Sequence, residues 1–185
     1  MQRHGRPTKI ALIAVLAALG LAIQLAPRPP NVEFTLLLTF SVGYMFGTFT
    51  GILFGSFIMF FNGFFSPWGF AGLNLPFQML GSSMTGLAGG LYQRYTHSRS
   101  AARFCVEASI IGAFLTVLYD LVTNLGVALS LMIVGMRPTL AVTTAIAYGA
   151  PFSLIHVGSN FAVFGIAFLP IVRALNYTPM VKNLG

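Results

Sequence analysis

Apolar residues in this chain come in long runs, and polar residues gather in short segments between them. The runs cover residues 10–26, 34–61, 76–92, 106–134 and 150–172. Runs of this length with few charges predict transmembrane helices. Residues 34–61 pose the one question of count. As a single helix they would be ~42 Å long at 1.5 Å per residue, well beyond a ~30 Å hydrocarbon core. As two helices they must turn sharply within residues 47–51. Charge decides between the two. With the turn, Arg3, Arg6, Lys9, Arg94, Arg99, Arg103, Arg173 and Lys182 fall on one side and only Arg28 and Arg137 on the other. Without it, Arg3, Arg6, Lys9 and Arg137 oppose the remaining six. Only the first split obeys the positive-inside rule. The expectation is therefore an all-α integral membrane protein of the cell membrane. It is a single domain, a six-transmembrane-helix bundle with both termini cytoplasmic. Its spans are predicted near residues 10–26, 34–47, 50–62, 76–92, 106–134 and 150–172.

Small residues mark faces where helices meet. Gly43, Gly47, Gly51 and Gly55 recur every four residues and make a bare stripe, shared by the two short helices of the split run. Ala14, Ala18 and Ala22 make a similar stripe on the first span, suited to packing inside the protein or to docking a partner. Three prolines among residues 27–30 forbid helix after the first span. Glu33 then opens the second span, where a carboxylate suits a helix N-terminus as well as it suits a ligand.

Polar side chains inside apolar runs carry the candidate chemistry. Asp120 and Asn124 lie one turn apart on the fifth span, and His156 and Asn160 one turn apart on the sixth. A carboxylate facing lipid costs a few kcal/mol or more, so Asp120 must face the bundle interior. The segment 62–78 interrupts the apolar pattern with Ser66, Trp68, Asn74 and Gln78. Irregular backbone at membrane depth is tolerated where it lines a cavity or is buried by protein. Together these residues predict one shared site, under a loop that is either a cap or a connection.

Composition agrees and narrows the options. The chain of 185 residues is 56% hydrophobic and 7% charged, with mean hydropathy +0.84. Soluble domains carry roughly 25% charged residues. The net charge of +7 sits at the ends of apolar runs, where it serves topology and lipid headgroups, so nucleic acid is not an expected partner. The single cysteine, Cys105, excludes an internal disulfide. The N-terminal run lacks a convincing cleavage site and ends at Pro27, so it reads as a retained span rather than a signal peptide. His97 reads as a solvated loop residue. No catalytic set, metal-ligating His/Cys spacing or phosphate-binding glycine loop is present, and no cofactor is implied.

These features resemble the substrate-binding S components of energy-coupling factor (ECF) vitamin transporters, in the broad group that includes the riboflavin-type members. The resemblance covers nearly the whole chain. It rests on the six-span pattern, the alanine stripe, the segment from Pro30 to Glu33, the glycines from Gly43 to Gly55, and the stretch from Tyr119 to Gly126. It implies a chain that is not an enzyme but captures a vitamin or related micronutrient at the outer face. A transmembrane coupling subunit docks on Ala14, Ala18 and Ala22, and two cytoplasmic ATPases drive uptake. The loops with residues 31–33 and 66–78 become the lid. The substrate contacts expected are Glu33, Trp68, Asn74, Gln78, Asp120, Asn124, His156 and Asn160, with Asn124 and Asn160 leading. Trp68, Tyr119 and Tyr148 suit stacking on a flat heteroaromatic ring, such as riboflavin, a pterin or a pyrimidine. A corrinoid stays open. Two other classes also stay open: a structural membrane scaffold of the cell-shape type, and a small intramembrane enzyme using Asp120 and His156.

Overall fold

The computed structural model describes residues 5–27, 29–96 and 100–177. Arg3, Arg28, His97, Arg99 and Lys182 lie outside the described residues. Among the described residues all regular structure is helical. The helices are α1 (Gly5–Leu25), α2 (Thr35–Phe46), α3 (Thr48–Phe65), α4 (Leu75–Tyr95), α5 (Ala101–Ile133) and α6 (Pro138–Tyr177), with a 3-10 turn at Gly72–Asn74 before α4. Four stretches are long and apolar enough to cross a membrane: Pro7–Leu25, Thr48–Phe65, Ala101–Ile133 and Pro138–Leu175. α2 is a shorter apolar helix. α4 has 21 residues, but its Gly, Ser, Thr and Gln lower its hydropathy.

The long apolar run does split, and the break is a single residue. Gly47 joins α2 to α3 at φ +95°, a backbone conformation that a Cβ disfavours. The chain reverses there, and both arms lay their glycines on α4. A Cβ at Gly43 or Gly51 would strike the Gly86 carbonyl, and one at Gly55 would strike the backbone of Ser82. Gly89 returns the contact against the Phe40 carbonyl. The stripe thus brings backbone against backbone, where any side chain would force the helices apart. Ser56 and Ser83 exchange a hydroxyl hydrogen bond of 2.6 Å across the same seam.

α2 is the central helix, with ten of its twelve residues buried. α5 and α6 pack along one another beside it. At one end, Phe40 meets Phe164 and Phe168 with ring centroids 5.5 and 5.1 Å apart, and Phe104 stacks on Phe168 at 5.0 Å. This cluster lies after Glu33 along α2, after His156 along α6 and before Asp120 along α5, so it forms an apolar floor beneath them. Lys9 donates from Nζ to the Phe46 carbonyl at 3.2 Å and ties α1 to the end of α2.

α6 is longer than the span expected over residues 150–172. The helix begins at Pro138, well before residue 150, and passes through Pro151 and Pro170. Pro138 occupies the first helical position, where its missing N–H costs nothing. Pro151 removes only the hydrogen bond to the Ala147 carbonyl, a loss that helices packed in a membrane protein tolerate. α5 likewise starts at Ala101, earlier than residue 106, because Ser100 caps it by accepting from the Arg103 amide at 3.4 Å.

Candidate functional site

A cavity of about 420 Å³ lies at the end of the bundle away from the phenylalanine floor. Five stretches of chain enclose it, the first being the end of α1 with Gln24. The segment before α2 supplies Asn31 and Glu33. The end of α3, the connection after it and the start of α4 supply Asn62, Ser66, Trp68, Asn74 and Gln78. α5 adds Tyr119, Asp120, Thr123 and Asn124, and α6 adds Gly149, Phe152, Ser153 and His156. Each stretch is polar at this depth, within helices that are otherwise apolar.

The deepest feature is a three-residue chain of polar contacts. His156 Nδ1 lies 2.7 Å from Asp120 Oδ1, and His156 Nε2 lies 3.2 Å from Glu33 Oε1. The side chains of His156 and Glu33 are 5% and 8% exposed. Three helices meet here, because Glu33 precedes α2, Asp120 lies on α5 and His156 on α6. Glu33 therefore does not serve as the cap of α2. The N-cap residue is Phe34, without a side-chain cap bond, and the Glu33 carboxylate reaches across the bundle instead. Tyr119 stands edge-on to the imidazole at 5.8 Å and 85°, and its hydroxyl donates to Met59 Sδ at 3.6 Å.

The segment before α2 is held in place on both sides. Asn31 takes φ 60°, a left-handed conformation that asparagine accepts more readily than most residues. Its carbonyl accepts from Ser159 Oγ on α6 at 3.1 Å. Thr35 donates to Gln24 Oε1, which joins the end of α1 to the start of α2. Gln24 is buried and also lines the cavity.

Of the residues expected at the site, Glu33, Trp68, Asn74, Gln78, Asp120, Asn124 and His156 line this one cavity. Asn160 does not. It is completely buried one helical turn deeper, where its Nδ2 donates to the His156 carbonyl at 3.2 Å. One-turn spacing puts Asn160 on the His156 face, but also a further ~6 Å along the helix, behind the wall. Tyr148 is 77% exposed on the outside of α6 and does not reach the cavity, and Trp68 stands at its rim, 62% exposed. The rings that line it are Tyr119, Phe152, Trp68 and Phe70.

Sequence reasoning missed Gln24, Asn62, Thr123, Gly149 and Ser153. Asn62 carried a readable signal, as a buried-depth amide at the end of an apolar helix. Gly149 carried none. Its hydrogen leaves room for Asn124, whose Oδ1 would lie 2.5 Å from a Cβ placed there. The cavity wall is also rich in unsatisfied acceptors. Asp120 Oδ2, Asn62 Oδ1, Asn74 Oδ1 and Gln78 Oε1 are all buried without a hydrogen-bond partner.

Outside the cavity, the alanine stripe takes a definite direction. Ala14, Ala18 and Ala22 are exposed, whereas Leu16, Gly20 and Gln24 turn inward. Among the described residues, the small face of α1 thus points away from the packed side of the helix.

The family model described as "ECF transporter, substrate-specific component" matches residues 8–168. No curated protein and no solved structure matches the chain.

Proposed function

Because the chain belongs to the substrate-specific components of ECF transporters, a family of transporter subunits rather than enzymes, we propose that its cavity captures a vitamin-like micronutrient at the outer face of the cell membrane. The observation that carries this reading is the polar cavity itself, set in an apolar bundle above an aromatic floor. Its volume falls near the lower end of the ~300–1,000 Å³ usual for small-molecule sites. That suits a ligand of one to a few rings better than a corrinoid macrocycle. Tyr119 and Phe152 offer stacking faces, and Asn74, Gln78 and Asn124 offer hydrogen bonds to a ring edge. Asn31 to Glu33 and the connection from Ser66 to Gln78 form the lid. Riboflavin is the uncharged representative of this ligand class.

The six helices cross the membrane six times, with both termini in the cytoplasm. The one-residue turn at Gly47 and the charge distribution along the chain support that topology. The outward alanine face of α1 supports docking to a transmembrane coupling subunit, which two cytoplasmic ATPases power. The chain alone binds substrate and does not pump it.

Mass spectrometry of small molecules that co-purify with the full-length chain in detergent tests the reading. A stoichiometric vitamin-like compound is expected, lost from an Asn74→Ala/Asn124→Ala variant that still folds. A compound retained by that variant, or a chain that binds no vitamin at all, refutes it.

A further inference from the structure

The charge of the cavity narrows the ligand. Both ring nitrogens of His156 face a carboxylate oxygen, at 2.7 and 3.2 Å. Each contact is a hydrogen bond only if it holds a proton, so the Glu33–His156–Asp120 chain holds two. An imidazolium between two carboxylates, or a neutral imidazole with one carboxylic acid and one carboxylate, satisfies that count. Either arrangement has a net charge of −1. The sum does not depend on where these two protons sit, provided that Asp120 Oδ2 carries no third.

Among the described residues, no lysine or arginine lines the cavity. The wall adds further electron-rich groups. Asp120 Oδ2 is buried without a partner and, when ionised, can only accept. Asn62, itself more than nine-tenths buried, also has an unpartnered oxygen in the wall, as do Asn74 and Gln78. The faces of Tyr119 and Phe152 carry the negative side of their ring quadrupoles. An uncompensated charge at this depth is costly, and a ligand that brings the opposite charge removes that cost on binding.

Resting on the reading of the cavity as a micronutrient site, we propose that the ligand is a cation. It is a small ring compound with a protonated amine or quaternary ring nitrogen, seated with its positive group on the Asp120 side of the cavity. The same charge disfavours a ligand that turns a carboxylate or phosphate toward Asp120.

The test is a charge-sorted panel on the full-length chain in detergent, read by native mass spectrometry and by thermal shift. Thiamine and pyridoxamine are the cations, riboflavin and pyridoxine the neutral members, and biotin and pantothenate the anions. Pyridoxamine and pyridoxine share a ring and differ at one substituent, which isolates charge from shape. The expected result is binding by at least one cation, at least tenfold tighter than by any neutral or anionic member. That preference shrinks in Glu33→Gln, which removes the net charge but keeps a hydrogen-bonding group beside His156. Preferential binding of a neutral or anionic member, or equal binding of all, overturns the charge assignment and leaves the micronutrient site standing. A panel in which nothing binds overturns the micronutrient reading and the charge assignment together.

Discussion

His156→Ala tests how the bundle is held together at its polar end. The imidazole is nearly fully buried and holds two carboxylates from two other parts of the chain. Removing it leaves Glu33 and Asp120 facing one another without a countercharge between them. Breaking one buried ion pair by deleting a partner costs about 3–5 kcal/mol, because the remaining charge is stranded. Two carboxylates are stranded here, so the loss sits at the upper end of that range. At about 2–4 °C per kcal/mol for a chain of this size, a loss of about 5 kcal/mol lowers the melting midpoint by about 10–20 °C. The assay is thermal unfolding in detergent, followed by tryptophan fluorescence or by loss of a monodisperse elution peak. A second variant isolates the cause. Glu33→Gln on the His156→Ala background removes one stranded charge, so the double variant melts higher than His156→Ala alone. The coupling energy is then of the opposite sign to simple loss of packing. An unchanged midpoint in His156→Ala, or a double variant that melts no higher than the single one, refutes the account of His156 as the bridge between two buried carboxylates.

Three further outcomes follow from other parts of the structure. Gly86→Val drives a side chain into the backbone of Gly51, where no rotamer relieves the clash, so it abolishes the monodisperse folded species by size-exclusion chromatography. Gly149→Ala acts oppositely on stability and on binding. Alanine favours helix by about 1 kcal/mol over glycine, while its Cβ displaces the Asn124 amide; the midpoint holds or rises, and ligand affinity falls when measured by titration calorimetry. Ala14→Trp and Ala18→Trp place bulk on an exposed face of α1, so vitamin binding by the isolated chain is retained while cellular uptake with the coupling subunit is lost. Uptake at the parent rate removes the docking assignment.

Much of the architecture was legible in the chain itself. Helix length against bilayer thickness, together with the placement of Lys and Arg, demanded a break near Gly47, and that break is one residue long. The glycine spacing announced a close helix contact, and α4 supplies it through Gly86 and Ser82. The span expected over residues 150–172 is too short, because α6 starts at Pro138 and continues through Pro151, which packed membrane helices tolerate. Asp120 and Asn124 do share a cavity-facing side of α5, as one-turn spacing requires.

Local sequence therefore determined the helices, their turn and the polar positions that cannot face lipid, because each follows from backbone geometry and solvation along one segment. Tertiary structure alone decided the partners. Glu33 meets His156 across 123 positions of sequence, and no local pattern encodes that distance. Asn160 and His156 look equivalent in spacing, yet one helical turn separates a residue that lines the cavity from one sealed behind it. The direction of the α1 alanine stripe and of Tyr148 was equally hidden. In water, hydrophobicity marks the buried face of a helix. In a bilayer, lipid and protein interior are both apolar, so the outward and inward faces read alike until the helices are packed.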